Sequence, residues 1–106
     1  LFTDPYLVKE KARIEIINAT GTAGLAHELE LDLRSLGYTI VSVETTDETN
    51  QTILYDFSQG AAPFTVKYLA DRVNAAVRVN AKPADAGDVD LRLVLGSDYQ
   101  EADETP

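Results

Sequence analysis

The sequence predicts an α+β domain, a two-layer sandwich in which two helices cover one face of a mixed sheet of four to five strands, in the order β-α-β-β-α-β-β. Three observations carry that expectation. Short runs of β-branched and aliphatic residues alternate with two stretches whose leucines and valines recur at helical spacing. Clusters of Gly, Pro, Asn and Asp separate them. A chain of 106 residues, 44% hydrophobic and 25% charged, suits one such core and leaves little room for a deep cleft between lobes. The ordered domain is expected over residues 12–99, after a linker at 1–11 and before a flexible acidic tail at 100–106.

The first eleven residues mix charge, proline and isolated aromatics without a period, and "TDPY" reads as a turn. "RIEIINA" alternates, with Ile14 and Ile16 on one face, and reads as a central strand. The small-residue turn "NATGTAGLA" follows. Leu25, Leu29, Leu33 and Leu36 then mark one side of a helix that Gly37 ends as a C-terminal cap before Tyr38. "YTIVSVETT" is a second strand, reached by a right-handed crossover, and "TILYDF" is a third. Only the polar loop "TDETNQ" separates these two. A parallel return needs a crossover of about a dozen residues, so the pair is expected as an antiparallel hairpin. A second helix opens near residues 61–63, where proline fits the first turn, with Val66, Leu69, Ala70 and Val73 inward. "AAVRV" is a short strand, "NAKPADAGD" a turn-rich loop, and "VDLRLVLG" a last strand apolar enough for the sheet interior. "SDYQEADETP" offers a core only Tyr99.

The formal net charge is −9, and seven carboxylates fall between Asp85 and Glu104 against only Lys82 and Arg92 nearby. Nucleic-acid binding needs a basic stripe, and the densest basic cluster, Lys9, Lys11 and Arg13, is diluted by Glu10. No nucleic-acid partner is expected. There is no cysteine, which excludes disulfides and thiolate chemistry. No apolar run reaches membrane-spanning length, so no direct membrane insertion by this chain is expected. The missing initiator methionine suggests a piece of a longer protein.

The turn at residues 18–26 is the candidate binding site. A glycine-bearing turn entering a helix presents unpaired N–H groups to an anion, and Asn18, Thr20, Gly21, Thr22 and Gly24 are the residues that would contact a small ligand or nucleotide. "ATGTAG" matches a dinucleotide fingerprint except at Ala19, and Glu44 stands about twenty residues after Gly24, where a ribose-binding carboxylate would sit. Against this stand the missing first glycine, the expected hairpin and the single βαβ unit. The plainer reading is a tight strand-to-helix turn. In it Gly21 or Gly24 takes a positive φ, Gly24 lies where the helix packs closely on the sheet, and Asn18 bonds loop backbone. His27, the only histidine, has no serine or cysteine partner placed by sequence and reads as a surface residue. Asp88, Asp90 and Asp98 lack the order of a calcium loop. No catalytic residue, metal or cofactor is expected. "NAT" at Asn18 and "NQT" at Asn50 are formal glycosylation sequons.

Taken together, "ARIEIINATGTAGLAHELELDLRSLGYTIVSVE", "QTILYDF", "AAPFTVKYLADRV" and "DLRLVLGSDY" resemble the C-terminal accessory domain of LytR/CpsA/Psr proteins, a bacterial cell-envelope family. The most specific parts of the likeness are Ile16, Asn18, Ala19, Thr20, Gly24, Leu25 and Ala26, then Gly37 with Tyr38, then Gly96, Asp98 and Tyr99. Ala19 departs from the glycine common in the family. The resemblance implies a parent whose separate catalytic domain transfers glycopolymers from a polyprenyl-pyrophosphate lipid to the cell wall, and the first eleven residues resemble the joining segment. For this chain it implies no enzyme activity. It implies instead a binding or interaction module outside the cytoplasm, tethered to the bacterial cytoplasmic membrane through the parent, with a cell-envelope component or a neighbouring domain as partner. An oligomer, formed at the edge of the third or the short fourth strand, is a further possibility.

Overall fold

The structure is a computed structural model and describes residues 10–99; the rest of the expected linker, residues 1–9, and the expected tail, residues 100–106, lie outside the described residues. The elements are β1 (Arg13–Asn18), α1 (Leu25–Ser35), β2 (Thr39–Thr45), β3 (Ile53–Asp56), α2 (Pro63–Val73), β4 (Ala76–Val79) and β5 (Leu91–Leu95), with one 3-10 turn at Ala84–Ala86. They form one five-stranded sheet in the order β2-β1-β5-β3-β4. β1 runs parallel to β2 and β5, β3 runs antiparallel to β5, and β4 runs parallel to β3.

Both helices bury the same face of this sheet. Ile14 and Ile16 of β1, Ile40 of β2, Leu54 of β3 and Leu91, Leu93 and Leu95 of β5 share one core with Ala26, Leu29 and Leu33 of α1 and Leu69, Ala70 and Val73 of α2. The leucine periodicity of α1 and the alternation of β1 and β5 therefore point at each other, as amphipathic elements must to form two layers. Arg72 of α2 reaches Asp32 of α1 at 2.6 Å and ties the helices together at their outer surface.

The expected hairpin is not there. β2 and β3 do run in opposite directions, but β1 and β5 lie between them. The connection 46–52 crosses the ends of both central strands: Thr46 N–H donates to Asn18 O, Thr49 N–H to Ala19 O, and Ser97 N–H to Thr49 O. About seven residues reach roughly 23 Å, more than the three strand spacings, about 14 Å, that separate β2 from β3. Length alone therefore did not demand a tight turn. It follows that β3 is interior, and the sheet's open edges belong to β2 and β4.

One glycine differs from expectation. Gly24 caps α1 at φ 91°, but a Cβ there would meet nothing within 4 Å, so close helix-to-sheet packing is not its role. The close approach occurs at Gly96, where a Cβ would lie 2.5–2.6 Å from the backbone of Gln51. The crossing loop passes directly over that residue.

Helix α2 lacks a capping side chain of its own, since Ala62 holds the N-cap position. Glu10 supplies the cap from far away in sequence. Its carboxylate accepts from Thr65 N–H at 2.8 Å, Thr65 Oγ1 at 2.6 Å and Phe64 N–H at 3.1 Å. Burial pushes its pKa up, and the bonds from Thr65 and Phe64 outweigh that and hold it below the ordinary carboxylate value.

Candidate functional site

The turn singled out by sequence forms a closed hydrogen-bond circuit. Asn18 Oδ1 accepts from Thr20 N–H at 3.1 Å and Thr20 Oγ1 at 2.6 Å, and Asn18 Nδ2 donates to Thr22 O at 3.0 Å. Thr20 Oγ1 accepts from Thr22 N–H at 3.0 Å. Gly21 and Gly24 take φ values of 81° and 91°, which let the chain leave β1 and enter α1 within six residues that side chains would otherwise strain. Asn18 and Thr20 are buried, and their polar groups are committed to the turn itself. Gly21 is overlain by the Glu48 carboxylate of the crossing loop, whose Oε1 lies 2.9 Å from where a Cβ would stand.

The closing residues Gly96, Asp98 and Tyr99 form a second latch beside it. Asp98 Oδ1 accepts from Thr52 N–H at 2.8 Å and Thr52 Oγ1 at 2.7 Å, while Thr52 Oγ1 accepts from Gly96 N–H at 3.0 Å. Tyr99 packs against the main core. Gly37 takes φ 102° at the end of α1, and Leu25 and Ala26 open that helix, Ala26 facing the core. His27 is exposed, with Nδ1 3.4 Å from Glu30. Asp90 accepts from Arg13 N–H at 3.0 Å. Among the described residues no group of three or more His, Cys, Asp or Glu could hold a metal ion, and no helix is long and apolar enough to cross a membrane.

A concave feature lies elsewhere among the described residues, on the sheet face that the helices leave bare. Strand pairing lays out two rows of side chains there. One runs Glu44, Ile17, Val94, Ile53, Ala76; the next runs Ser42, Glu15, Arg92, Tyr55, Arg78. The segment after β4 folds back across this face and closes one wall. The result is a groove of about 360 Å³ with Ile17, Val94 and Tyr55 as floor, Arg92 beside Tyr55, Asn80, Ala81 and Pro83 as wall, and Thr46 and Phe57 towards its two ends.

Arg92 organises the groove. Its Nε donates to Glu15 Oε1 at 2.7 Å, Asp85 Oδ1 stands 3.7 Å from its Nη2, and its guanidinium lies over the Phe57 ring, 5.4 Å from the centroid. The Tyr55 and Phe57 rings are stacked with centroids 6.2 Å apart. Phe57, Ala86 and Val89 form a small second core beneath the folded-back segment, which fixes the wall in place. A buried carboxylate such as Glu15 is tolerable because the guanidinium neutralises it.

Glu44 sits on this bare face beside Ile17 and is exposed, whereas Asn18 and Thr20 are buried in the turn. None of the groove's lining residues was singled out from sequence. The signal was present as alternation: Tyr55 and Phe57 stand two apart around Asp56, and Arg92 interrupts the apolar run of β5 once, between the core-facing Leu91 and Leu93.

In fold the chain is similar to the crystallised soluble domain of a conserved hypothetical secreted protein from Mycobacterium marinum, with a TM-score of 0.64, 23% sequence identity and coverage of 97% of this chain and 70% of that one. No curated protein matches the sequence. The family model described as LytR cell envelope-related transcriptional attenuator matches residues 11–99, a span that takes in every strand and both helices, the Asn18 turn and the Asp98 latch. The chain therefore belongs to the LytR cell envelope-related transcriptional attenuator family, through its C-terminal-type domain.

Proposed function

We propose that this domain is a non-catalytic binding or interaction module of a bacterial cell-envelope protein, working outside the cytoplasm and joined in its parent to a wall-glycopolymer transferase. The observation that carries the binding reading is the preformed groove on the helix-free face, whose size and mix of apolar floor and few polar groups are those of a ligand site. Family membership supplies the envelope setting, and the secreted relative of similar fold supports an extracytoplasmic address.

The chemistry of the groove supports binding rather than turnover. The groove's charged pair, Glu15 and Arg92, neutralise one another, and no serine, cysteine or histidine lines the groove to serve as nucleophile or base. Incubation of the isolated domain with lipid-linked glycopolymer and peptidoglycan tests the reading directly. Retention on wall material that falls at least tenfold in a Tyr55→Ser, Val94→Ser double variant is the expected result. Release of pyrophosphate lipid or cleaved glycan by this chain alone would overturn it.

A further inference from the structure

We infer that the groove takes a small ligand with a flat apolar body and a carboxylate, the carboxylate facing Arg92 and the body lying on Ile17, Val94 and Tyr55. The inference rests on the binding reading above and adds the chemical class of the ligand.

Charge complementarity carries it. The whole chain has 18 acidic against 9 basic residues, yet the groove's lining includes a cation and no carboxylate. Arg92 lines it, Arg78 stands beside Tyr55 in the same row across the sheet, and Lys82 sits between the wall residues Ala81 and Pro83. Arg78 and Lys82 are exposed and make no ion pair among the described residues. Glu15 answers one side of the Arg92 fork through Nε, and the remaining face of a planar guanidinium is shaped for a second carboxylate. Glu44, on β2 beside Ile17, lies about 12 Å from Arg92 by strand spacing and rise, more than one screening length at physiological salt.

Asp85 indicates the species that position accepts. It is 77% exposed, on the folded-back segment, with Oδ1 at 3.7 Å from Arg92, too far for a hydrogen bond and close enough for attraction. Its carboxylate is a loosely held internal occupant of the place a ligand carboxylate would take. The floor explains the second requirement. Ile17 and Val94 are adjacent across β1 and β5, and Tyr55 stands in the next row on β3, so the floor offers an apolar surface on which a flat body can lie.

The test is a titration of the isotopically labelled domain with benzoate, benzamide and acetate, reading the Val94 methyl, the Tyr55 ring and Arg92 Nε–H by NMR. Benzoate should bind at least tenfold tighter than benzamide, which lacks the charge, and than acetate, which lacks the body. Asp85→Asn, which removes the internal competitor, should tighten benzoate about threefold to tenfold. Lys82→Gln and Arg78→Gln should weaken it about threefold each. These three variants leave the Glu15–Arg92 pair intact, so folding is preserved where Arg92→Gln would strand Glu15. Equal binding of benzoate and benzamide, absence of benzoate shifts at groove residues, or an unchanged affinity in Asp85→Asn would overturn the inference. If these fail while the Tyr55→Ser, Val94→Ser variant still loses wall retention, the ligand class is wrong and the binding reading stands; if wall retention is also unaffected, both fall.

Discussion

Asn18 holds its turn with both ends of one amide, accepting twice and donating once. A single truncation therefore removes three hydrogen bonds at once and leaves Thr20 N–H, on a buried residue, without its acceptor, while Thr20 Oγ1 and Thr22 O keep one another. Asn18→Ala should cost about 1–3 kcal/mol, which for a domain of this size is a fall in Tm of roughly 4–8 °C per kcal/mol in a thermal melt. A melt coincident with the parent would show that the circuit contributes nothing. The two informative glycines should respond differently to alanine. Gly24→Ala keeps open space around the new methyl but strains φ 91°, at about 1–2 kcal/mol. Gly96→Ala needs no unusual φ but drives a methyl into the Gln51 backbone, so the crossing loop must move, at about 1–3 kcal/mol or more. Hydrogen exchange separates the cases: the Gly96 variant should lose protection at Thr49 N–H and Ser97 N–H, and the Gly24 variant should not. Here the sequence was half legible. The positive φ and the role of Asn18 follow from residue type, whereas which glycine meets foreign backbone depends on a loop more than forty residues away.

The elements themselves were legible where periodicity is local. The leucine spacing placed α1, proline placed the start of α2, and alternation placed β1 and β5. Pairing was not, because a strand's pattern records which face is buried and carries no name for its neighbour. The short polar stretch 46–52 looked like a hairpin loop and is a crossing strap. The groove was illegible for the same reason: Glu15, Arg92, Tyr55 and Arg78 come from four strands and form a row only once β5 lies between β1 and β3. At this scale the cap on α2 gives a prediction with a sign. The folded pKa of Glu10 lies below its ordinary value of 4.5, so its contribution is complete above that value and is lost as pH falls through the lower folded one. Glu10→Gln should therefore lower Tm at neutral pH, and the gap to the parent should close on acidification below 4.5. A gap independent of pH would mean that the carboxylate's charge is not what caps the helix.

Across the whole molecule, charge is distributed rather than uniform. With 18 acidic and 9 basic residues, a duplex meets net repulsion, and the cations at the groove sit with Glu15 and Asp85 among them. A low-salt gel shift with random duplex DNA should show no complex. Binding that weakens steeply as salt is added would contradict this and would give the family's word "transcriptional" a literal meaning here.

The position of β5 also sets the order in which the domain can come into being. Before the last strand arrives, the chain has made two β-α-β units, β1-α1-β2 and β3-α2-β4, and no strand of one pairs with a strand of the other. Leu91, Leu93 and Leu95 then enter the middle of the sheet as a wedge that both halves require. A polypeptide emerging amino-terminus first thus stays without its central strand until nearly the whole domain has appeared, and its earliest parts wait for its latest. A chain ending at residue 88 should show no cooperative melt, and adding residues 89–99 back as a separate peptide should restore one. A truncated chain that melts cooperatively on its own would mean that the halves hold together through their helices alone.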